Sequence, residues 1–177
     1  MRRKQASPVV TRPARPEDAA LLAELGASTF VETFERANTP ENFAAYMAVA
    51  FGEAVQREEL EDPGTTVFFA ERDADVVGYT TSSRFRQKQA YETTVEMTIV
   101  CAPDAVGIGV GSRLYATIFP LLGSEDIHMA VAGITLPNEA SCALHERFGF
   151  ERVGVEPEVG RKFGRYWDVA WYMRRIR

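Results

Sequence analysis

The stretch Thr94–Leu114, TVEMTIVCAPDAVGIGVGSRL, decides the fold of this chain. Its first seven residues are rich in Val, Thr and Ile, which is typical of a β-strand. Pro103 ends that strand, because proline has no N–H to donate to a sheet ladder. The run Gly107–Ser112 follows and leads into SRLYATIFPLL, whose apolar residues recur at helical spacing. The stretch therefore predicts a strand, a glycine turn and a helix in direct succession.

This succession of elements is suited to binding an anion. The first N–H groups of a helix have no partner inside the helix, and they attract phosphate groups. Glycines before the helix let a bulky phosphate come close to the main chain. A tight turn that binds nothing would need the same glycines, so the run alone leaves both interpretations open.

Composition limits the class of protein. The 177 residues suit one domain, and 46% hydrophobic with 25% charged residues lies in the ordinary globular range. A net charge of −5 argues against nucleic-acid binding, which normally needs a basic face. No stretch approaches the ~20 apolar residues that span a bilayer, and the basic start Met1–Lys4 lacks the apolar run of a secretory signal. We therefore expect no nucleic-acid and no membrane partner.

The few cysteines and histidines also limit the chemistry. Cys101 and Cys142 fall in predicted core elements of unlike type, which does not suggest a disulfide framework and predicts a reduced, cytoplasmic location. The two histidines and two cysteines lack metal-ligand spacing, so no metal is expected.

Along the chain, residues 1–8 are predicted to be a flexible N-terminus and residues 9–177 one domain. A hairpin is expected around Arg72–Asp75. The predicted strands lie at 9–12, 66–70, 76–81, 94–100, 127–133, 150–155 and 168–173, and the predicted helices at 15–34, 40–51, 53–60, 112–122 and 139–148. Helices at the front, a central sheet and alternating strands and helices behind predict a single-domain mixed α/β fold.

Several motifs together resemble a known superfamily. The turn Gly107–Ser112, the tripeptide Leu136–Asn138 and the segment LHERFGF at 144–150 resemble the GNAT superfamily of acyl-CoA-dependent N-acetyltransferases. Three further stretches resemble its phosphinothricin and amino-acid N-acetyltransferase branch: Arg86–Tyr91, Thr94–Val100 and Gly160–Asp168. The resemblance covers residues 9–173 as architecture, with motifs mainly in 84–169. It implies a largely antiparallel central sheet flanked by helices, and acetyl transfer from acetyl-CoA to the amine of a small amino acid or analogue, such as phosphinothricin or a methionine derivative.

The resemblance also implies which residues hold acetyl-CoA. The backbone of three strand residues would pair with the pantetheine arm, two residues near the next helix would approach the thioester, and the glycine turn would hold the pyrophosphate. The strand residues that would pair with the pantetheine arm are Ile99, Val100 and Cys101. The residues that would approach the thioester are Asn138 and Ser141. The turn that would hold the pyrophosphate consists of Val106, Gly107, Ile108, Gly109, Val110, Gly111 and Ser112. The superfamily usually has Gln or Arg at the position of Val106 and often a basic or polar residue at that of Gly107. Losing one charge-assisted hydrogen bond predicts CoA binding that is weaker by roughly ten- to a hundredfold, but retained.

For catalysis, the resemblance implies that Glu96 is the base. An α-amine with a pKa near ~8 is partly neutral at pH 7, so a modest base is enough. Strand alternation puts Glu96 and Thr98 on one face, although a solvated outward Glu96 would fit the same pattern. His145 stands where many relatives place the tyrosine that protonates the departing thiolate. It is expected to be that acid or a buried structural histidine, and the sequence leaves both roles open.

The resemblance implies that Arg86 and Lys88 meet the carboxylate or phosphinate of the acceptor, which suits oxyanion recognition. A solvated basic loop is the simpler interpretation of the same residues. The remaining expected acceptor residues are Phe34, Tyr91, Thr98 and Lys162. The expected partner is a small-molecule amine, and a homodimer is the one protein partner that the resembled branch suggests.

Two alternatives remain: a non-catalytic acyl-CoA-binding module, or an acetyltransferase for a polyamine or a protein N-terminus. The two basic residues would repel a polycation.

Overall fold

The computed structural model describes residues 7–34, 51–162 and 165–177, and for residues 30–34 and 162 it describes only the backbone. One sheet of seven strands runs through this part of the chain. In chain order the strands are β1 (Val10–Pro13), β2 (Thr66–Arg72), β3 (Asp75–Arg84), β4 (Thr94–Cys101), β5 (Met129–Thr135), β6 (Glu151–Lys162) and β7 (Arg165–Arg175). Their order across the sheet is β1-β2-β3-β4-β5-β7-β6, and every neighbouring pair except β4 and β5 is antiparallel. The prediction of a mixed, largely antiparallel sheet is therefore confirmed.

Helices cover both faces of this sheet. They are α1 (Ala19–Phe34), α2 (Glu53–Glu61), α3 (Val110–Ser124) and α4 (Glu139–Arg147). On one face, α1 packs Leu22 and Leu25 against Phe69 and Tyr79 of the sheet. On the other face, the core includes residues of β4, α3 and β5: Val95, Met97, Tyr115, Ile118, Leu122, Ala130 and Ala132. Within the described ranges, none of the helices has the length and apolar character that crossing a membrane requires.

Most predicted elements are present with shifts of a few residues, but β6 and β7 are much longer than predicted. Gly154, Pro157 and Gly160 indicate an early end to β6, because both residue types weaken a strand. The structure accommodates them at two register shifts, one between Arg152 and Gly154 and one between Glu156 and Gly160. The predicted helix at 40–51 and most of the predicted N-terminal segment at 1–8 lie outside the described residues.

The parallel pair β4 and β5 separates after a short contact, and this separation creates the site. The two strands pair only from Thr94–Glu96 to Met129–Val131. Beyond Glu96, β4 continues to Cys101 while β5 diverges from it. Because parallel strands end at the same edge of a sheet, the glycine turn after β4 and the start of α4 after β5 flank one gap.

Candidate active site

Two neighbouring cavities lie beside the part of β4 that has separated from β5. The first, which we call the cleft cavity, has a volume of about 450 Å³. It is lined by Gly26, Thr29, Phe51, Tyr79, Glu96, Met97, Thr98, Ile99, Val100, Ala132, Gly133, Ile134, Thr135, Leu136, Pro137, Asn138, Ser141, His145 and Trp167.

The second, which we call the turn cavity, has a volume of about 600 Å³ and lies against the glycine turn. It is lined by Thr29, Ile99, Val100, Cys101, Ala105, Val106, Gly107, Gly109, Val110, Gly111, Ser112, Asn138, Ala140, Ser141, Ala143, Leu144 and Arg147. Five residues line both cavities: Thr29, Ile99, Val100, Asn138 and Ser141. The two cavities are therefore neighbours that share a wall, as a two-substrate site requires.

The glycine turn presents free backbone donors to the turn cavity. Gly107 and Gly109 have φ angles of +83° and +91°, in the left-handed region that other residues rarely adopt. Gly109 is the N-cap of α3, and its carbonyl accepts the N–H of Arg113. The N–H groups of Val110, Gly111 and Ser112 come before that first intrahelical bond, so they have no partner within the helix. The N–H of Gly111 is hydrogen-bonded to the Cys101 thiol instead, which leaves those of Val110 and Ser112. Together with the helix dipole they make this end of the cavity attractive to an anion.

The walls of the turn cavity are closely packed where α3 and α4 meet. A Cβ on Gly111 would lie 2.7 Å from Leu144 Cδ2, so glycine there lets α3 and α4 approach each other. Burial raises the pKa of the Cys101 thiol, and a hydrogen bond with the Gly111 backbone opposes this only in part. A thiol that stays protonated is a poor nucleophile. The structure therefore places Cys101 as part of the cavity wall.

Glu96 faces the cleft cavity at the point where β4 and β5 separate. Its side chain is half-buried, and burial raises the pKa of its carboxyl group. Within the described residues, no hydrogen bond or ion pair engages this carboxylate. A carboxylate that is held out of water without a cation is a stronger base than an exposed one, which suits it to accept a proton.

His145 is buried below the cleft cavity with 2% of its surface exposed, and both of its ring nitrogens are engaged. Nδ1 lies 2.7 Å from the carbonyl oxygen of Ser141, which can only accept, so Nδ1 carries the proton. Nε2 then accepts the hydroxyl of Tyr115 at 2.7 Å. Burial lowers the pKa of His145, and the Ser141 carbonyl opposes this only in part. His145 is thus held as the neutral Nδ1–H tautomer, with Ser141 Oγ 3.4 Å from Nδ1.

The expected acceptor residues Arg86, Lys88 and Tyr91 do not line either cavity. The exposed Arg86 guanidinium lies 4.9 Å from the centre of the Phe85 ring and 5.4 Å from that of Tyr91. Of the expected cofactor residues, Ile108 is 45% exposed and does not line the turn cavity either. The side chains of Phe34 and Lys162 lie outside the described part of the chain. The other expected residues line one or both cavities.

The structure also adds residues that the sequence did not identify as part of the site. Thr29 of α1 lies in no motif, and Arg147 of α4 lies in the segment LHERFGF without a role of its own being expected for it. Trp167 belongs to the quoted stretch Gly160–Asp168, and this was its only signal. The segments described here contain no group of three or more His, Cys, Asp or Glu that could hold a metal ion.

Comparison with known proteins identifies the family. Residues 27–150 match the acetyltransferase (GNAT) family, and the chain belongs to it. Phosphinothricin N-acetyltransferase of Streptomyces coelicolor is 61% identical over 102 residues, which are 58% of this chain and 60% of that protein. The L-methionine sulfoximine/L-methionine sulfone acetyltransferase of Pseudomonas aeruginosa is 35% identical over 97 residues, which are 55% of this chain and 56% of that protein. These matches thus span less than two thirds of each relative's own length.

A solved structure extends the likeness over nearly the whole chain. It is a GNAT superfamily phosphinothricin acetyltransferase from Sinorhizobium meliloti in complex with acetyl-CoA. This chain superimposes on it with a TM-score of 0.71 and 25% identity, over 94% of this chain and 88% of the other. The GNAT fold that the sequence predicts is therefore confirmed.

Proposed function

We propose that this protein transfers the acetyl group of acetyl-CoA to the amine of a small amino acid or analogue of the phosphinothricin or methionine sulfoximine type. The observation that carries the proposal is the shared wall between two unlike cavities. One cavity has free helix N–H groups and the other has a half-buried carboxylate. Membership of the GNAT family, the activities for which the relatives are named and the structural neighbour solved with acetyl-CoA support it. A homodimer and a cytoplasmic location stay predictions.

On the donor side, acetyl-CoA supplies the activated acetyl thioester, and the turn cavity fits its chemistry. The volume of about 600 Å³ is in the range of small-molecule sites. The N–H groups of Val110 and Ser112 would receive the pyrophosphate. Past Glu96, the main chain of Ile99–Cys101 is not paired with β5, so it would be available to an extended pantetheine arm as an added strand.

On the acceptor side, Glu96 would take the proton of the amine, directly or through water. The neutral amine would then attack the thioester carbonyl, and no covalent enzyme intermediate is needed. Thr98 lies on the same strand face and also lines the cleft cavity, so it would contact the acceptor beside Glu96.

For the leaving group, which is the thiolate of CoA, we propose that Ser141 and His145 act together. Ser141 lines both cavities, and its Oγ lies 3.4 Å from His145 Nδ1. The only N–H of His145 is already donated to the Ser141 carbonyl. His145 would therefore fix the position of the Ser141 hydroxyl rather than give up a proton of its own. The proton that the amine releases would reach the departing thiolate through that hydroxyl or a water.

The identity of the acceptor depends on Arg86 and Lys88. Among its described lining residues the cleft cavity has no Lys or Arg side chain. An acidic acceptor would need these two residues to reach it. If they stay in the solvated loop, an acceptor without a carboxylate, such as a polyamine or a protein N-terminus, becomes the better match. This observation keeps the second candidate function open.

The experiment that tests the proposal is release of CoA thiol by the purified chain with acetyl-CoA and a panel of amines. The panel holds phosphinothricin, methionine sulfone, glutamate, spermidine and an alanine-initiated peptide. We expect turnover with the first two, and an increased KM for them in the Arg86→Ala/Lys88→Ala variant. Preference for spermidine or the peptide would support the second candidate, and acetyl-CoA binding without any turnover would indicate a non-catalytic binding module.

A further inference from the structure

The turn cavity contains one charged side chain among its described lining residues, and this is Arg147. Arg147 is the last residue of α4, yet its guanidinium reaches across to the first turn of α3. There its Nη2 donates to the hydroxyl oxygen of Ser112. The hydroxyl of Ser112 thus anchors a cation beside the free N–H group of Val110.

This placement brings two sources of positive potential to one cavity. The N-terminus of α3 carries the positive end of the helix dipole, which favours anions and disfavours cations. No carboxylate of the described residues lies within ion-pair distance of Arg147. The glycine turn, Val106–Ser112, contains no basic residue of its own. A guanidinium held there without an acid is a cation that an incoming phosphate can neutralise.

We propose that Arg147 binds the pyrophosphate of acyl-CoA and supplies the side-chain charge that the turn lacks. This inference rests on the proposed function. The planar guanidinium can donate to two phosphate oxygens at once, and Ser112 fixes its direction. The simpler interpretation is that Arg147 only stabilises the negative C-terminal end of its own helix. That role would affect the stability of the protein and would not depend on which phosphates the ligand carries.

The test measures binding of three ligands by isothermal titration: acetyl-CoA, its 3′-dephospho form, and S-acetylpantetheine, which lacks all phosphates. Arg147→Ala should weaken the first two by roughly ten- to a hundredfold, the effect of one charge-assisted contact. It should leave S-acetylpantetheine unchanged. The loss should shrink at high salt, because mobile ions screen the exposed charge.

Arg113→Ala is the matched control, because Arg113 is an exposed arginine next to Ser112 that does not line the cavity. It should bind all three ligands as the wild type does. A loss confined to acetyl-CoA would place Arg147 on the 3′-phosphate, and equal losses for all three ligands would indicate a structural role; either result overturns the inference. If Arg147→Ala binds normally, the inference fails while the proposed function stands. If the wild type does not bind acetyl-CoA, the proposed function fails.

Discussion

Gly78 of β3 stands where two walls of the turn cavity meet, and replacing it by alanine tests how tightly they are packed. A Cβ at this position would lie 2.8 Å from the carbonyl oxygen of Val100 and 2.8 Å from Cγ1 of Val110. Ordinary contacts begin at 3.4 Å, so the neighbours must move by about 0.6 Å (3.4 − 2.8). One of the two atoms belongs to the main chain of β4, which cannot turn away as a side chain can.

Overpacking of this kind costs roughly 1–3 kcal/mol of the free energy of unfolding. In a chain of this length each kcal/mol lowers Tm by roughly 2–4 °C, so Gly78→Ala should lower Tm by roughly 2–12 °C. The displaced atoms belong to Val100, which lines both cavities, and Val110, which begins α3. We therefore expect the KM for acetyl-CoA to increase as well.

The assay is thermal unfolding followed by steady-state kinetics on the folded fraction. Gly123→Ala is the control, because a Cβ on that exposed glycine of α3 would meet no atom within 4 Å. An unchanged Tm and an unchanged KM for Gly78→Ala would refute the packing described for β3, β4 and α3.

Three further predictions concern stability. Gly123→Ala should raise the free energy of unfolding by up to about 1 kcal/mol, because alanine is the better helix former, and a lower Tm would contradict this. Tyr115→Phe should lower the free energy of unfolding by roughly 1–3 kcal/mol, because His145 Nε2 then loses its buried hydrogen-bond donor. Chemical denaturation measures this loss. A variant as stable as the wild type would contradict the hydrogen bond between Tyr115 and His145. Burial lowers the pKa of His145 from its ordinary 6.5, so its contribution to stability is present above that pH and lost as the pH falls toward the lowered pKa. Tm should therefore decrease less steeply in His145→Asn than in the wild type over this acid range, and parallel curves would argue against a neutral buried histidine.

The local elements around the glycine turn could be predicted because their signals lie within a few residues of one another. Strand propensity, Pro103 and the glycines specify strand, turn and helix without help from the rest of the chain. The long hairpin of β6 and β7 could not be predicted, because it depends on pairing between the strands and on bulges that accommodate Gly154 and Gly160.

In the site, too, local patterns could be predicted from the sequence and contacts between distant residues could not. Alternation along β4 was enough to place Glu96 and Thr98 on one face, and both line the cleft cavity. The contact of Arg147 with Ser112 joins residues 35 positions apart, and no local pattern indicates it. Arg86 shows the opposite case: its position in the chain suggests the acceptor site, while its side chain lies against two aromatic rings outside both cavities.

The measurement that tests the central claim most directly is the pH dependence of kcat/KM for phosphinothricin in the wild type and in Glu96→Gln. If Glu96 is the base, the wild type loses activity as the pH falls through the raised pKa of that carboxyl group. The variant should lose roughly 10²–10⁴-fold at neutral pH, and the loss should shrink at high pH, where the amine is already neutral. Glu92→Gln, an exposed glutamate outside both cavities, should behave as the wild type. A Glu96→Gln variant with the activity and pH profile of the wild type would contradict the account.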